Sequence, residues 1–445
     1  MRVPRSRWLA LSAAGSLLAA ACAGGSATPV PPAGSAPVDG SPGASGPTAS
    51  GPAATGAIGG SVSVIGTWGG DEEEAFRAMI APFEAETGIT VEYTGTRDLN
   101  AVLTTGVASG ILPDLAGLPG PGQMAEFADR GALVDLGTVL DVDEYTEQTA
   151  PAFVELGTVE GQLSGVFIKS AVKGFIWYDV EQFTGEAPAT WEDLQALPND
   201  PADSKWCVAV ESEAASGWPG TDWIEDFVLR QSGPEVYDAW VAGEQAWTSP
   251  EIRGAFEAFG EVVANSFGGP DYILNTPFGE GGNPLFEEPP GCLFHHQASF
   301  ITSFFQEQGG AAPEDYDFFP FPDINPEFAG SLTGAGDLFG MFNDTPQSRA
   351  LMNYLVTPEA QQIWVDIGGA LSGNREVTEY PDEISQRSAE ALVNAEIFRF
   401  DASDLMPEAM NNAFWSAILQ YVQTPGDLDR ILTELDATQE SAYAE

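Results

Sequence analysis

The chain is poor in positive charge. Sixteen lysines and arginines stand against 66 aspartates and glutamates, for a formal net charge of -50. The only lysines are Lys169, Lys173 and Lys205. A surface of that sign repels phosphate, which argues against any nucleic-acid partner. Acid-rich, lysine-poor surfaces suit salty surroundings, where screening relieves self-repulsion. Histidine is almost absent: His295 and His296 are the only two. Adjacent residues point to different sides of any regular element, and no third ligand sits at metal spacing, so their expected roles are structural and no metal or cofactor is assigned. Long apolar runs are missing beyond residue 60, which removes a membrane-spanning helix from the globular part. There is no Gly-x-Ser-x-Gly elbow and no metalloenzyme motif. Carboxylates are abundant, but no pair is marked out for glycosidic cleavage, and no catalytic residue is assigned.

What is present begins with an export signal. Arg2, Arg5 and Arg7 precede an apolar, small-residue run at residues 8–21, too short and wrongly flanked for a membrane span. It ends Leu18-Ala19-Ala20-Ala21-Cys22, which resembles a bacterial lipobox, with Ala19 where leucine is usual. Cys22 is therefore the expected lipidation site, and 1–21 the lipoprotein signal. Residues 23–60 are nearly all Ala, Gly, Pro, Ser and Thr, with Asp39 the only charge. That composition cannot offset its chain entropy, so a disordered tether over 22–60 is expected. It would hold the next domain roughly 35 Å from a membrane surface. With Cys22 given to lipid, Cys207 and Cys292 form an even pair in an exported protein, and a disulfide between them is expected.

Residues 61 onward exceed what one core usually supports, so two lobes are expected. Alternation at 61–65 predicts a strand, and Asp71 opens a helix with Phe76, Met79, Ile80 and Phe83 on one face, stopped by Gly88. Ile89, Val91 and Tyr93 alternate as a second strand. A second helix from Arg97 carries Leu99, Val102, Leu103 and Val107, and 114–118 is a third strand. This alternation predicts an α/β lobe with a mainly parallel sheet. Ligands gather beyond the carboxyl ends of such strands, at loops 68–71, 96–98 and 119–122.

The stretch 213–226 is the richest in binding chemistry. Trp218 and Trp223 flank a Pro219-Gly220 turn, with Ser216, Thr221 and Asp222 nearby, and Asp222 is the expected cap of the following helix. Indole faces beside fixed polar groups suit the C–H faces and O–H edges of a sugar. The same tryptophans would serve equally well as core anchors. Trp240 and Trp247, within a helical pattern over 234–265, are assigned to packing.

Four stretches, Phe83–Val91, Pro113-Asp114 and its loop with Gly131–Leu136, Tyr354–Gln361, and Met406-Pro407 with Ala413–Trp415, resemble in order and spacing the bacterial extracellular solute-binding proteins of carbohydrate importers. Segments 216–226 and 334–337 are similar to the α-glucoside-binding branch. The resemblance implies an α/β, two-lobe periplasmic-binding-protein-like fold of type II, with a hinge and a ligand cleft between the lobes. Lobe one would comprise 61–171 plus 328–375, and lobe two 172–327 plus 376–445. Family position implies that Trp68, Asp71, Arg97, Asp98, Pro119 and Asp337 face the cleft from lobe one. Lys173, Trp218, Thr221, Asp222, Trp223 and Trp415 would face it from lobe two. The implied function is binding an extracellular sugar, an α-glucoside or other oligosaccharide, and delivering it unaltered to a membrane permease with its ATPase. The protein would act as a monomer, anchored at the outer face of the cytoplasmic membrane by its lipid alone. Two other readings stay open: a polyamine or other small-solute binder on the same plan, which Arg97 and Lys173 oppose, and a secreted glycoside hydrolase.

Overall fold

Strand and helix alternate from the first residues described. The computed structural model describes residues 58–444, so the signal, Cys22 and the tether up to residue 57 lie outside the described residues. The first run is β1 (Gly60–Gly66), α1 (Asp71–Thr87), β2 (Ile89–Gly95), α2 (Leu99–Ser109), β3 (Leu115–Leu118) and α3 (Pro121–Asp129). β1 pairs in parallel with both β2 and β3. Four acids fill the first turn of α1, where they favour the helix dipole. Phe76, Met79, Ile80 and Phe83 are buried, and Gly88, at φ 69°, caps the helix by donating to the Glu84 carbonyl. In α2 the buried face is Leu99, Leu103 and Gly106. Val102, expected on that face, is 44% exposed. It lies one residue, or about 100°, off the Leu99–Leu103 line, and Gly106 is where the helix closes on its neighbour: a Cβ there would stand 2.7 Å from the Ile111 carbonyl oxygen.

Apart from a two-stranded hairpin of Thr158–Val159 with Gln162–Leu163, two sheets follow from the remaining strands: β4 (Val166–Val172), β5 (Phe175–Asp179), β6 (Ser204–Cys207), β7 (Cys292–Gln297), β8 (Tyr316–Pro320), β9 (Ser331–Met341) and β10 (Ile397–Phe400). The first sheet runs β10–β9–β3–β1–β2, with β4 also pairing β9. The second runs β8–β5–β7–β6. Each has its own aromatic-rich core, one around Trp68, Phe76 and Phe339, the other around Trp206, Trp223 and Phe256. This is the two-lobe α/β architecture. β10 is a departure. The expected lobe boundaries give residues 397–400 to the second lobe, yet β10 pairs with Ser331–Gly334 of β9 in the first sheet. β9 is long enough, at 11 residues, to hold β3 along one half and β10 along the other.

The chain passes between the sheets three times. Lys173 and Gly174 join β4 to β5, residues 321–330 join β8 to β9, and the short helix α5 (Ala402–Leu405) leads from β10 to α6 (Glu408–Gln423). All three passages meet one helix, α4 (Trp218–Ser232). This helix begins at Trp218, four residues before the expected cap. Gly217 is its N-cap, at φ 116°, and Pro219 lies in its first turn. Asp222 is consequently an interior residue. The Cys207–Cys292 disulfide ties the end of β6 to the start of its parallel neighbour β7, with Cα atoms 5.5 Å apart. Closing a separation of 85 residues stabilises the fold by about 4–5 kcal/mol in the chain-entropy account.

Candidate functional site

A cavity of about 430 Å³ opens between the two sheets. Loop ends of the first sheet supply Trp68, Arg97, Asp98, Pro119 and Gly120, with Glu72 from α1, Lys169 from β4 and Asp337 from β9. The opposite wall carries Lys173, Trp218, Phe278, Phe300, Asp404 and Trp415. Glycine sets the closeness of the walls. A Cβ on Gly120 would lie 2.4 Å from the Asp404 carbonyl oxygen, and one on Gly122 2.3 Å from that of Met406. The Pro119–Gly122 loop therefore seats α3 directly on α5. The same holds at Gly217, where a Cβ would stand 2.4 Å from the carbonyl oxygen of Trp415.

Charge is dense and paired on the cavity floor. Lys169 Nζ lies 2.6 Å from Glu72 Oε1 and 3.5 Å from Asp337 Oδ2, and Arg97 approaches Glu72 at 3.8 Å. Burial pushes the Glu72 carboxyl up, but Lys169 and Arg97 outweigh it and hold the group below its ordinary value. Burial likewise opposes the charge on Lys169, and Glu72 and Asp337 reverse that to a net rise. Aromatic faces stand over these charges. Lys169 Nζ is 4.9 Å from the Trp364 ring and 5.5 Å from Phe300, Lys173 Nζ is 4.6 Å from Trp218, and the Arg97 guanidinium is 5.3 Å from Phe278.

Behind the floor lies the junction of the three passages. Lys173 Nζ contacts Asp222 Oδ1 at 3.0 Å and Asp401 Oδ2 at 2.8 Å. Glu225, one turn along α4 from Asp222, accepts from the backbone N–H groups of Ala402 and Ser403 at 3.0 and 3.1 Å, anchoring the start of α5. Asp226 accepts from Arg230 at 2.5 Å, from the Thr333 hydroxyl at 2.6 Å, and faces His296 Nε2 at 2.7 Å. A Cβ on Gly174 would fall 2.6 Å from Asp226 Oδ2. Burial pushes Glu225 and Asp222 well up, since one lysine cannot neutralise every carboxyl around it. Asp401 is pushed up by burial but pulled further down by Lys173. Asp222, Glu225 and Asp401 bring carboxylate oxygens within 4.8 Å of one another, the described group closest to a cation-binding arrangement. Lys173 already supplies positive charge to two of them. His295 donates through Nδ1–H to the Cys207 carbonyl, 2.9 Å away, and burial lowers its pKa to about 4. Both histidines thus sit in the core of the second lobe.

Eight of the twelve expected ligand-facing residues line this cavity: Trp68, Arg97, Asp98, Pro119, Lys173, Trp218, Asp337 and Trp415. Four do not. Trp223 is 1% exposed and packs against Trp206 at 5.0 Å and His296 at 4.3 Å. The reason is angular. With helix running from Trp218, five residues turn the second ring about 140° from the first, so one indole meets the cavity and the other the core. Thr221 is buried and donates to the Trp218 carbonyl at 2.8 Å. Asp222 acts through Lys173 rather than facing the cavity. Asp71, the first residue of α1, is exposed, and Glu72 takes the inward position instead. Glu72, Lys169, Phe278, Phe300, Asp404, Glu408 and Asn411 line the cavity without having been singled out. Lys169 had a signal, being one of three lysines in an acidic chain. The others become neighbours only through long-range packing.

The model of the bacterial extracellular solute-binding proteins matches residues 69–362. The osmoprotective compounds-binding protein GgtB of Synechocystis sp. is 38% identical over 373 residues, covering 81% of this chain and 88% of that relative. The alpha-glucosides-binding periplasmic protein AglE of Rhizobium meliloti is 35% identical over 386 residues, covering 82% and 84%. Among solved structures, the solute receptor AcbH, described as exclusive for β-D-galactopyranose, superposes with a TM-score of 0.74 at 18% identity, over 86% of this chain and 99% of that one. The family match over most of the globular part, together with a cleft between two α/β lobes, establishes that the chain belongs to the bacterial extracellular solute-binding proteins.

Proposed function

We propose that this protein captures an extracellular sugar, an α-glucoside or another short saccharide, and presents it to the permease and ATPase of a membrane importer. One observation carries the reading: the cavity sets indole and phenyl faces of Trp218, Phe278, Phe300 and Trp415 against the ion-paired oxygens and nitrogens of Glu72, Arg97, Lys169 and Asp337. Rings cover the C–H faces of a pyranose, and pre-paired charges offer donors and acceptors to its hydroxyls without demanding net charge in return. The name of one relative, an alpha-glucosides-binding protein, supports the same class.

The lobes, about 61–171 plus 328–375 with the strand at 397–400, and 172–327 plus the rest of 376–445, close on the ligand about the three passages at α4, and Cys22 tethers the whole to the membrane as a lipoprotein. Ligand shifts the open–closed population through contacts made better when closed. A thermal-shift screen over glucose, trehalose, sucrose, maltose and spermidine tests the reading. A sugar that binds only the folded form must raise the melting temperature. A response to spermidine alone would sink it.

A further inference from the structure

Asp404 stands where the cavity meets the junction of the three passages. It lies in the single turn of α5, half-buried, and lines the cavity. Its backbone N–H donates to Asp401 Oδ1 at 3.0 Å, but among the described residues no donor reaches its carboxyl. The neighbouring carboxyls are all served. Asp401 also accepts from the Ser403 hydroxyl at 2.7 Å and faces Lys173. The two Asp222 oxygens lie 3.0 and 3.2 Å from Lys173 Nζ. Glu225 accepts from two backbone N–H groups, with the Tyr237 hydroxyl 3.5 Å away. Asp226 holds Arg230 and His296. Across the cavity, Arg97 and Lys169 are committed to Glu72 and Asp337. On the remaining side α6 and α3 bring Glu408 and Glu126, the latter paired with Arg130. Lys173, already divided between two carboxylates, is the cation left for Asp404. Burial and then Asp401 push the Asp404 carboxyl well up against the pull of Lys173, and Asp222 and Asp337 add to the rise.

We propose that ligand capture is coupled to proton uptake at Asp404, which becomes a neutral carboxylic acid as the lobes close and returns its proton to solvent as they part. Water solvates the anion while the cavity is open. A neutral saccharide that displaces this water brings no compensating charge, so the carboxyl takes a proton instead. Once protonated it can donate to a ligand oxygen, where a carboxylate could only accept. Because the ligand favours the protonated form, affinity is greatest below the pKa of the free protein's carboxyl. It falls as pH rises towards the ligand-bound pKa and levels off above it. The coupling rests on the sugar-binding reading and adds a second, linked ligand to it.

Titration calorimetry with trehalose and maltose at pH 7, in phosphate and again in Tris, tests it, since the two buffers differ in heat of ionisation and the difference reads protons taken up. The unaltered protein should take up protons on binding, and Asp404→Asn should not. Between pH 5.5 and 8.5 the affinity of the unaltered protein should fall about tenfold, the effect of one unit of pKa difference, and that of Asp404→Asn less than about twofold. Glu408, which also lines the cavity, titrates at about 7 in its own right, so Glu408→Gln is the comparison and should keep the uptake. Uptake lost in Glu408→Gln but kept in Asp404→Asn overturns the proposal, as does binding without uptake by the unaltered protein. Infrared titration of the unliganded protein supplies a reading that needs no sugar. Asp401 and Asp222 stay beside Asp404 whether or not the cavity is filled, so the carboxyl band lost in Asp404→Asn should titrate above the ordinary value of about 4. An ordinary value overturns the coupling. Failure of both sugars to bind is a different result, because it removes the sugar-binding reading and leaves the infrared titration to decide on Asp404.

Discussion

Lys173 is one cation amid several buried carboxyls, and it also lines the ligand cavity. Removing one partner of a buried pair costs about 3–5 kcal/mol, because the other charge is left uncompensated. Lys173→Met should therefore lower unfolding stability in urea by about that much at pH 8. At pH 5 the loss should shrink, since Asp222 and Asp401 can then take up protons instead of remaining as unpaired anions. Glu408 shows the opposite logic. Burial, reinforced by the Glu126 charge, pushes its pKa up to about 7 from an ordinary 4.5. The folded form then holds a proton that the unfolded form has released, so stability falls as pH rises from 4.5 to 7 and stays reduced above that. Glu408→Gln should raise the melting temperature at pH 8 by roughly 1–2 °C, discounted for partial exposure, and should do nothing at pH 4. Differential scanning calorimetry at the two pH values checks both the sign and the window.

At the scale of elements, helix starts decide what the side chains do. Gly217 adopts φ 116° and backs directly onto the carbonyl of Trp415. Gly217→Ala meets both the backbone strain and the clash, and should cost about 2 kcal/mol or more. It should also push α6 outward and weaken ligand binding about tenfold, measured by calorimetry beside an unfolding curve. The same position explains what the sequence could reveal. Phe76, Met79, Ile80, Phe83 and Gly88 form a local pattern, and α1 was legible from it. Trp218 was legible as a ring that lines the cavity. Trp223 was not, because its direction depends on whether the helix begins at residue 218 or 222, a choice made by contact with α6 almost 200 positions away. Glu225 and Asp226 gave no local sign of their role, since their partners Ala402, Thr333 and His296 arrive from three other parts of the chain. Cys207 and Cys292 were legible by counting alone.

For the whole molecule the dominant quantity is the charge of -50. Self-repulsion over the surface is weakened as the Debye length falls from about 10 Å at 0.1 M salt to about 3 Å at 1 M. The melting temperature should therefore rise by several degrees between those concentrations, in a salt such as sodium chloride, and a flat or falling curve would refute the idea. The buried ion pairs at Lys169 and Lys173 are shielded from this screening, so the gain belongs to the surface. The junction at α4 bears on motion. Asp222, Glu225 and Asp226 grip every passage of chain from one half to the other, through Lys173, Thr333 and the start of α5. Strands clamped to one rod share an axle. In the proposed closure the halves would swing about it rather than slide past one another, so opening the jaws would release the cargo in a single stroke.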